Sequence, residues 1–251
     1  MVQQSDRAMN PILLSSGRSG TNYLLAVYAE MFPKDLVLKE IFRPKSDSLR
    51  LLSQFIGRND AEIVELANNN QVQLWTEISA QSEAQGRRAI AKIFYSHTQA
   101  DGLLMKHFRE KNTVIHLIRR NFFDVFVSIV VAQKTGKWQS FVGDAFTPAP
   151  ESFALNRAEV ERFFRQRTKE IQTARAYFSG NPNYHEVFYE DIASDPLLCA
   201  KAIGAIFNVN PDKKILIDQH RQKYLPNSVL VTNYSEVKDL DTTVWQEAWS
   251  V

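Results

Sequence analysis

Two short stretches of the sequence carry side chains suited to binding anions. The first, LLSSGRSGTNYLL, is an apolar run, a turn of small polar residues with one cation, and the start of a helix. Backbone N–H groups can point inward in such a turn, and the dipole of the following helix also favours an anion. The guanidinium of Arg18 adds a planar fork that matches phosphate or sulfate oxygens. The candidate ligands in this turn are Ser16, Gly17, Arg18, Ser19, Gly20, Thr21 and Asn22.

This turn differs from the Walker A phosphate loop. In G-x-x-x-x-G-K-[ST], a Lys reaches the terminal phosphates and a Ser or Thr reaches Mg²⁺. Here Thr21 follows Gly20 directly, and the cation precedes the glycine. The alternative interpretation is an ordinary turn of small residues that caps a helix. The Arg inside the turn and the buried strand before it favour anion binding.

The second stretch is VIHLIRRNFFDVFVSIV. Arg119 and Arg120 stand where a predicted strand ends, and Ser128 lies two helical turns further on. Taken alone, this Arg pair is more typical of a solvated strand end or of a salt bridge to Asp124 than of an anion site. Two cationic sites at neighbouring strand ends, however, suit a ligand with two separated anionic groups, such as a bisphosphorylated nucleotide.

Alternating strands and helices must position these two stretches. Strand-like apolar runs are PILLSS, LVLKEIF, RRAIAKIFYS, NTVIHLIRR and YHEVFYE. Helices are predicted at TNYLLAVYAEMF, SDSLRLLSQF, DAEIVELANNN (opened by its Asp), DVFVSIVVAQKTG, about Leu155 to Phe178, and DPLLCAKAIGAIFNV. The stretch WQSFVGDAFTPAPESF is predicted to be a loop. This alternation predicts an α/β, P-loop-like three-layer fold with a central parallel sheet flanked by helices. Because ligands bind beyond the carboxyl ends of such strands, both anion loops should face one cleft.

Composition limits the function classes. The chain has 251 residues, an apolar fraction of 44%, a net charge of +2 and one Cys. The near-balanced charge argues against a nucleic-acid partner, and a single Cys excludes an internal disulfide framework and a Cys-based zinc site. No apolar run approaches the roughly 20 residues of a membrane span. We therefore expect one cytoplasmic domain over residues 1–251, without membrane insertion; no pattern predicts an oligomeric state.

The two stretches together resemble the signatures of sulfotransferases that use 3'-phosphoadenosine 5'-phosphosulfate (PAPS). SSGRSGTNYL resembles their 5'-phosphosulfate loop, and VIHLIRRNFFDVFVS resembles their 3'-phosphate motif. The resemblance implies that Arg120 and Ser128 grip the 3'-phosphate. AQKTGKW and VFYEDIASDP are similar to stretches of bacterial carbohydrate-type members, including nodulation-factor sulfotransferases. The resemblance also implies PAPS as the donor, its bisphosphate PAP as the product, and a hydroxyl of a glycan, glycolipid or small metabolite as the acceptor.

A sulfuryl donor explains why the first loop departs from Walker A. Kinases use Mg²⁺ and a Lys because several negative charges crowd the transferring phosphoryl group. A sulfuryl group carries less charge, so backbone donors and one cationic side chain can stabilise an in-line transition state without a metal. We therefore expect no metal, and Arg18 is the candidate that polarises the transferring group.

The acceptor hydroxyl must lose its proton, so a general base is expected. Glu40, at the end of LVLKEIF, is the first candidate, because carbohydrate-type members often carry a Glu there. The alternative is a surface carboxylate paired with Lys39 or Arg43. His97 is the second candidate, near the catalytic His of cytosolic-type members, although their K-x-H spacing is absent. Lys92 on the same strand is a candidate sulfuryl ligand.

Other residues carry weaker expectations. His116 lies within a strand and is predicted to be a hydrogen-bonded core residue; the remaining histidines lack the spacing of metal ligands. Trp75, Glu77 and Trp138 are candidates for lining the acceptor site, with packing as the alternative. The tail from about Tyr224 resembles a region that closes over the nucleotide. Two other functions stay open at this point, a P-loop nucleotide kinase or hydrolase and a non-catalytic nucleotide-binding protein.

Overall fold

The computed structural model describes residues 9–43, 48–98, 102–138, 151–211, 215–217 and 225–241. The strands are β1 (Pro11–Ser15), β2 (Leu36–Leu38), β3 (Ala89–Phe94), β4 (Thr113–Ile118) and β5 (Tyr184–Phe188). The helices are α1 (Thr21–Met31), α2 (Leu49–Ile56), α3 (Asp60–Asn69), α4 (Gln71–Ala84), α5 (Leu103–Lys111), α6 (Phe122–Thr135), α7 (Arg157–Phe178), α8 (Tyr189–Ile192), α9 (Pro196–Phe207), α10 (Asn227–Leu230) and α11 (Tyr234–Asp241). A 3₁₀ turn, Tyr95–His97, follows β3.

The strands form one parallel sheet in the order β2-β3-β1-β4-β5. In the register of its centre, Leu14 of β1 pairs with Ile93 of β3 on one side and with His116 of β4 on the other. Every residue of β1 and β4 is buried, as expected for central strands covered on both faces. The predicted α/β fold with a central parallel sheet flanked by helices is confirmed.

The chain divides into two compact units, each assembled from separate segments. The first contains the described residues of 1–17, 31–117 and 174–187, and the second those of 18–30, 118–173 and 188–251. The first unit therefore holds nearly all of the sheet, and the second holds α6, α8 to α11 and most of α1 and α7. The prediction of one domain over residues 1–251 stays a prediction.

Helices α2 to α5 surround the apolar core of the first unit. Trp75 of α4 is fully buried there, packs edge-to-face on Phe108 of α5 at 6.3 Å and donates its indole N–H to Asn112 Oδ1 at 3.2 Å. Trp75 is thus a core residue, so its interpretation as an acceptor-site aromatic is wrong. Helices α4 and α5 themselves were not predicted from the sequence. The sequence of α4, QVQLWTEISAQSEA, is largely polar, and its start depends on the Asn70 side chain accepting the N–H of Gln73.

Helix ends follow local capping chemistry. The N-cap residue of α3 is Asn59, one residue before Asp60, the cap predicted from the sequence. Its side chain accepts the N–H of Glu62 at 3.0 Å, and the Glu62 carboxylate accepts the N–H of Asn59 at 2.9 Å. This reciprocal capping box satisfies two N–H groups that lack helical partners. Helix α6 ends at Gly136, whose φ of 69° is left-handed, as the sequence predicted.

Aromatic side chains hold the second unit together. Phe122 and Phe126 of α6 pack on Phe164 and Phe163 of α7 at 5.6 and 5.3 Å. The tail returns to the same helix, where Tyr234 of α11 packs on Phe123 at 6.5 Å. The part of the predicted loop at residues 139–150 lies outside the described residues. Within the described chain, no helix is both long and apolar enough to cross a bilayer.

Candidate active site

The first anion loop begins where β1 ends. The Ser15 hydroxyl donates to the carbonyl of Leu117 on β4 at 2.6 Å, so the strand end is fixed to its neighbour. Ser16, Ser19 and Thr21 are buried. Helix α1 starts at Thr21, as predicted, so the turn leads directly into a helix N-terminus.

Gly20 is the position in this loop where only glycine fits. Its φ is +88°, and a Cβ placed there would lie 2.2 Å from Cδ2 of Tyr189. The tyrosine ring therefore packs directly against the backbone of the loop. Gly17, three residues earlier, has open space where a methyl group would lie, with nothing within 4 Å. The two glycines of the turn thus have different roles.

Arg18 adopts a left-handed backbone, with φ of 65°. Its Nε donates to the hydroxyl of Ser128 on α6 at 2.8 Å, and its Nη1 donates to the carbonyl of Trp138. The first of these contacts joins the two stretches singled out in the sequence. The motif resemblance pairs Ser128 with Arg120, and the contact of Ser128 with Arg18 was not predicted.

The guanidinium of Arg119 binds the backbone of this loop. Its Nη1 donates to the carbonyl of Arg18 at 3.2 Å, its Nη2 pairs with Asp124 at 2.9 Å, and its guanidinium lies 4.8 Å from the centre of the Tyr189 ring. The Nε of Arg119 is buried and has no hydrogen-bond partner among the described residues. The salt bridge to Asp124 that the sequence left open is therefore made by Arg119.

The tail reaches the same carboxylate. Asn227 of α10 donates from one amide nitrogen to Asp124 Oδ1 at 2.9 Å and to Asp241 Oδ1 at 3.0 Å. Sequence reasoning missed Asn227, because the tail has no periodic pattern and the contact spans over a hundred residues. The proposed closure of this region over a nucleotide stays a prediction.

Arg120 has different partners from Arg119. Its Nη2 contacts both oxygens of Asp191 at 2.7 and 2.6 Å, and its guanidinium stacks on the Phe188 ring at 4.2 Å. Its backbone N–H donates to the Glu190 carboxylate at 2.9 Å. No described residue takes a hydrogen bond from Nε or Nη1, so these two groups, which point in different directions, can each still donate to an anion. Ser128, its predicted co-ligand, is bonded to Arg18.

The first unit holds a second charged group, at the carboxyl ends of β2 and β3. Glu40 follows β2 with a left-handed φ of 45°. One carboxylate oxygen pairs with Lys92 Nζ at 2.9 Å and the other with Arg43 Nη1 at 3.0 Å. Lys92 lies within β3 with 3% of its side chain exposed. Its ammonium therefore faces Glu40, while the sulfuryl role proposed for it from the sequence stays a prediction.

The cations beside Glu40 keep its carboxylate ionised. Burial opposes ionisation, but the attraction and hydrogen bond of Lys92, with those of Arg43, outweigh it and lower the pKa of Glu40. A carboxylate has about four lone-pair positions. The two contacts use one lone-pair position on each oxygen. Glu40 can therefore still accept a hydrogen bond from a further donor, such as a hydroxyl.

His97 ends the 3₁₀ turn after β3. Its Nδ1 accepts the backbone N–H of Phe94 at 3.2 Å, which assigns the ring hydrogen of the neutral form to Nε2. Burial lowers the pKa of His97, although the nearby Glu40 opposes this shift. In this tautomer the Nδ1 lone pair is used by the N–H of Phe94 and Nε2 carries the hydrogen, which weakens the case for His97 as a base.

The comparison with protein families decides the class. A profile described as "Sulfotransferase domain" matches residues 10–246, almost the whole chain. The chain belongs to the sulfotransferase domain family. The sulfotransferase class inferred from the two motifs is thereby confirmed, and the chain is an enzyme of that class. A search of curated proteins finds no match to this sulfotransferase.

One solved structure in particular agrees with the fold. The sulfotransferase is similar to "Sulfotransferase Domain from the Curacin Biosynthetic Pathway", with a TM-score of 0.54, 14% identity, and coverage of 96% of this chain and 88% of that one. It is also similar to "Sulfotransferase from Alicyclobacillus acidocaldarius" (TM-score 0.45, 11% identity, 88% of each chain). A mouse sulfotransferase, SULT7A1 complexed with PAP, matches with a TM-score of 0.45 and 14% identity over 82% of this chain and 60% of that one.

The remaining predicted residues are placed as follows. Glu77 of the sulfotransferase pairs with Arg58 at 2.6 Å on the surface of the first unit, and Trp138 has 51% of its surface exposed. Among the described residues, no three His, Cys, Asp or Glu side chains come together as a metal site. His220 lies outside the described residues. The shared cleft, the ligand roles and the absence of a metal stay predictions.

Proposed function

We propose that this sulfotransferase moves a sulfuryl group from PAPS to a hydroxyl of a glycan, glycolipid or small metabolite. The observation that carries the proposal is the position of Arg18 within the loop after β1. Its guanidinium is bonded to Ser128, and its carbonyl is held by Arg119, so a cation is fixed at a helix N-terminus. That arrangement suits the sulfuryl group of PAPS. It does not require the Lys that follows the glycine in a Walker A loop.

The residues that would hold the donor fit a bisphosphorylated nucleotide. The Arg120 guanidinium is oriented by Asp191 and Phe188, and its Nη1 group can donate to the 3'-phosphate. The buried Nε–H of Arg119 is a further donor without a partner among the described residues. When bound, PAPS would supply the activated sulfuryl group; the chain supplies donors, charge and a base.

We propose Glu40 as the general base of this reaction. Its lowered pKa keeps it ionised at neutral pH, and it accepts the proton that the acceptor hydroxyl loses as it attacks. Lys92 balances the charge of Glu40 within the protein. Arg18 stabilises the negative charge that develops on the transferring group and the leaving oxygen. We infer that the reaction needs no metal, because a sulfuryl group carries less charge than a phosphoryl group.

The donor assignment is tested by binding of PAP to Arg120→Ala. Loss of a charge-assisted phosphate contact of about 1.5–3 kcal/mol should weaken PAP binding about 10- to 100-fold in calorimetry. Arg157→Ala is the matched control, because Arg157 is also an exposed Arg of the second unit held by an aspartate, Asp239, at 2.6 Å. Equal PAP affinity of wild type and Arg120→Ala would contradict the assignment of Arg120.

A further inference from the structure

A series of hydrogen-bonded polar side chains runs through the core of the first unit, and the proposed reaction does not use it. His116, in the middle of β4, is fully buried, as the sequence predicted. Its Nε2 lies 2.5 Å from the hydroxyl of Tyr95, and its Nδ1 lies 2.5 Å from the hydroxyl of Tyr184. The members of this polar chain, in spatial order, are Tyr95, His116, Tyr184, Glu186 and Arg175.

The charged end of the polar chain sets the direction of its hydrogen bonds. Arg175 holds Glu186 with two nitrogens, at 2.7 and 2.6 Å. Burial opposes the charge, but Arg175 and Tyr184 lower the pKa of Glu186, so it is ionised. An ionised carboxylate only accepts hydrogen bonds, and the Tyr184 hydroxyl therefore donates to it, at 2.8 Å.

The positions of the remaining hydrogens follow from this hydrogen bond of Tyr184. The oxygen of Tyr184 accepts the Nδ1–H of His116, and the Nε2 of His116 then accepts the O–H of Tyr95. Burial lowers the pKa of His116 to about 3, which fits a neutral imidazole with one donor and one acceptor. The hydrogens between Tyr95 and Glu186 thus all point towards Glu186, which Arg175 approaches from the other end, and both nitrogens of the buried ring are satisfied.

The polar chain connects a turn to the rigid centre of the sheet. Tyr95 opens the 3₁₀ turn Tyr95–His97 at the carboxyl end of β3, whereas His116 lies on β4, with β1 between these two strands. Further along, Tyr184 belongs to β5 and its ring stacks on Phe178 of α7 at 5.3 Å and 7°. The turn is therefore anchored to two neighbouring strands, β4 and β5, and to α7.

The anchored turn is linked to the proposed base through Phe94 and Lys92. The rings of His97 and Phe94 lie 5.2 Å apart, and the N–H of Phe94 donates to His97. The ammonium of Lys92 sits over the Phe94 ring at 5.1 Å and pairs with Glu40 at 2.9 Å. A shift of Tyr95 would thus move Phe94, and with it the lysine that holds the Glu40 carboxylate.

We propose that the polar chain is a positioning network for proton transfer in this sulfotransferase. It holds the turn Tyr95–His97, and through Phe94 and Lys92 it fixes the carboxylate of Glu40 against the acceptor hydroxyl. The inference rests on the proposed function, in which Glu40 is the base. A purely structural role, in which the polar chain only satisfies the buried imidazole, predicts lower stability without a specific loss of kcat.

The test is Tyr95→Phe, which removes one hydroxyl and keeps the ring. With an acceptor that supports turnover, kcat should fall about 10- to 100-fold, as expected for a misplaced base, while KM for PAPS and PAP affinity stay unchanged. Tyr177→Phe is the matched control. Tyr177 lies at the edge of the same core, and its hydroxyl makes no hydrogen bond to a described residue. Wild-type kcat in Tyr95→Phe would overturn the proposal.

Nuclear magnetic resonance of ¹⁵N-histidine gives a readout that needs no acceptor. His116 should show the Nδ1–H tautomer without titration between pH 5 and 9, and Tyr95→Phe should shift the His97 imidazole signals while Tyr177→Phe leaves them in place. Unshifted His97 signals would overturn the network whatever the activity. Failure of wild type to bind PAP would instead overturn the proposed function. If Tyr95→Phe does not fold, Tyr184→Phe breaks the polar chain one step further along and is measured in the same way.

Discussion

Arg18 and Glu40 hold left-handed backbone conformations that ordinarily belong to glycine, asparagine or aspartate. Their φ angles are 65° and 45°. Such a conformation costs about 1–3 kcal/mol and tends to occur where the surrounding structure needs the side chain in one place. Both residues are those to which we assign chemistry, Arg18 for the sulfuryl group and Glu40 for the proton. Nothing in the sequence signals these backbone angles, because neither residue type prefers them.

Substitution of Arg18 should separate this strain from the function of its side chain. Arg18→Gly and Arg18→Ala both remove the contacts to Ser128 and Trp138 and should both abolish sulfuryl transfer. Arg18→Gly should nevertheless be more stable than Arg18→Ala by about 1 kcal/mol, because glycine adopts a positive φ without a Cβ clash. Chemical denaturation of the two variants measures this difference. An alanine variant as stable as the glycine variant would contradict the strain at this position.

The pH dependence of kcat/KM should identify the base. Lys92 and Arg43 lower the pKa of Glu40 against the effect of burial, and the carboxylate is the active form above that pKa. Activity should therefore stay constant as pH falls through 6 and 5, and drop only below the ordinary glutamate value of about 4.3. Burial also lowers the pKa of His97, but from an ordinary value of about 6.5.

Two variants complete this test. An acidic limb below pH 6.5 but above the ordinary glutamate value that disappears in His97→Ala would assign the base to His97 and contradict our choice. With Glu40 as base, Glu40→Gln should reduce kcat about 10²- to 10⁴-fold. Glu65→Gln should keep full activity, because Glu65 is an exposed helix-surface glutamate of the same unit whose carboxylate accepts a hydrogen bond from Asn69 on its own helix.

The loop between β1 and α1 combines two glycines with different constraints. Gly20 has a φ of +88° and the ring of Tyr189 where a side chain would go, whereas Gly17 has neither. The sequence could predict the loop, since a buried strand, small residues and a helix start are all local signals. It could not predict which glycine is obligatory, because Tyr189 lies far away in the chain.

Gly20→Ala should therefore damage the loop, and Gly17→Ala should not. At Gly20 the new methyl would meet Cδ2 and Cε2 of Tyr189 at 2.2 and 2.4 Å, so either the loop or the ring must move. We expect a loss of about 1–3 kcal/mol in the free energy of unfolding, together with weaker PAP binding. Thermal unfolding and calorimetry on both variants measure this. Equal effects of the two substitutions would contradict the tight contact between Tyr189 and the loop.

The elements that the sequence predicted well are those with strong local patterns. The strands β1, β3 and β4 and the helices α1, α6, α7 and α9 are apolar runs or periodic segments with clear ends. Helix α4 was missed because its sequence is mostly polar and only Leu74, Trp75, Ile78 and Ser82 are buried. Its burial comes from packing in the core of the first unit, which no window of sequence displays.

Across the molecule, charge acts locally rather than as a field. Because the net charge is only +2 over 251 residues, anion binding at the site depends on a few fixed cations, among them Arg18, Arg119 and Arg120. The sequence identified Arg18 and Arg120 because they match motif positions. It could not assign partners that tertiary structure brings together, such as Asn227 with Asp124 or Lys92 with Glu40. The family match shows the sulfotransferase class, and the acceptor is a matter for a substrate screen.

The central claim is that the loop around Arg18 and the motif around Arg120 bind a bisphosphorylated sulfuryl donor and not a nucleoside triphosphate with magnesium. Isothermal titration calorimetry of the wild-type chain with PAP and with ATP, each with and without Mg²⁺, tests it most directly. We predict tight PAP binding that Mg²⁺ leaves unchanged, and weak ATP binding in both conditions. Tight binding of ATP that requires Mg²⁺, with weak binding of PAP, would contradict the account.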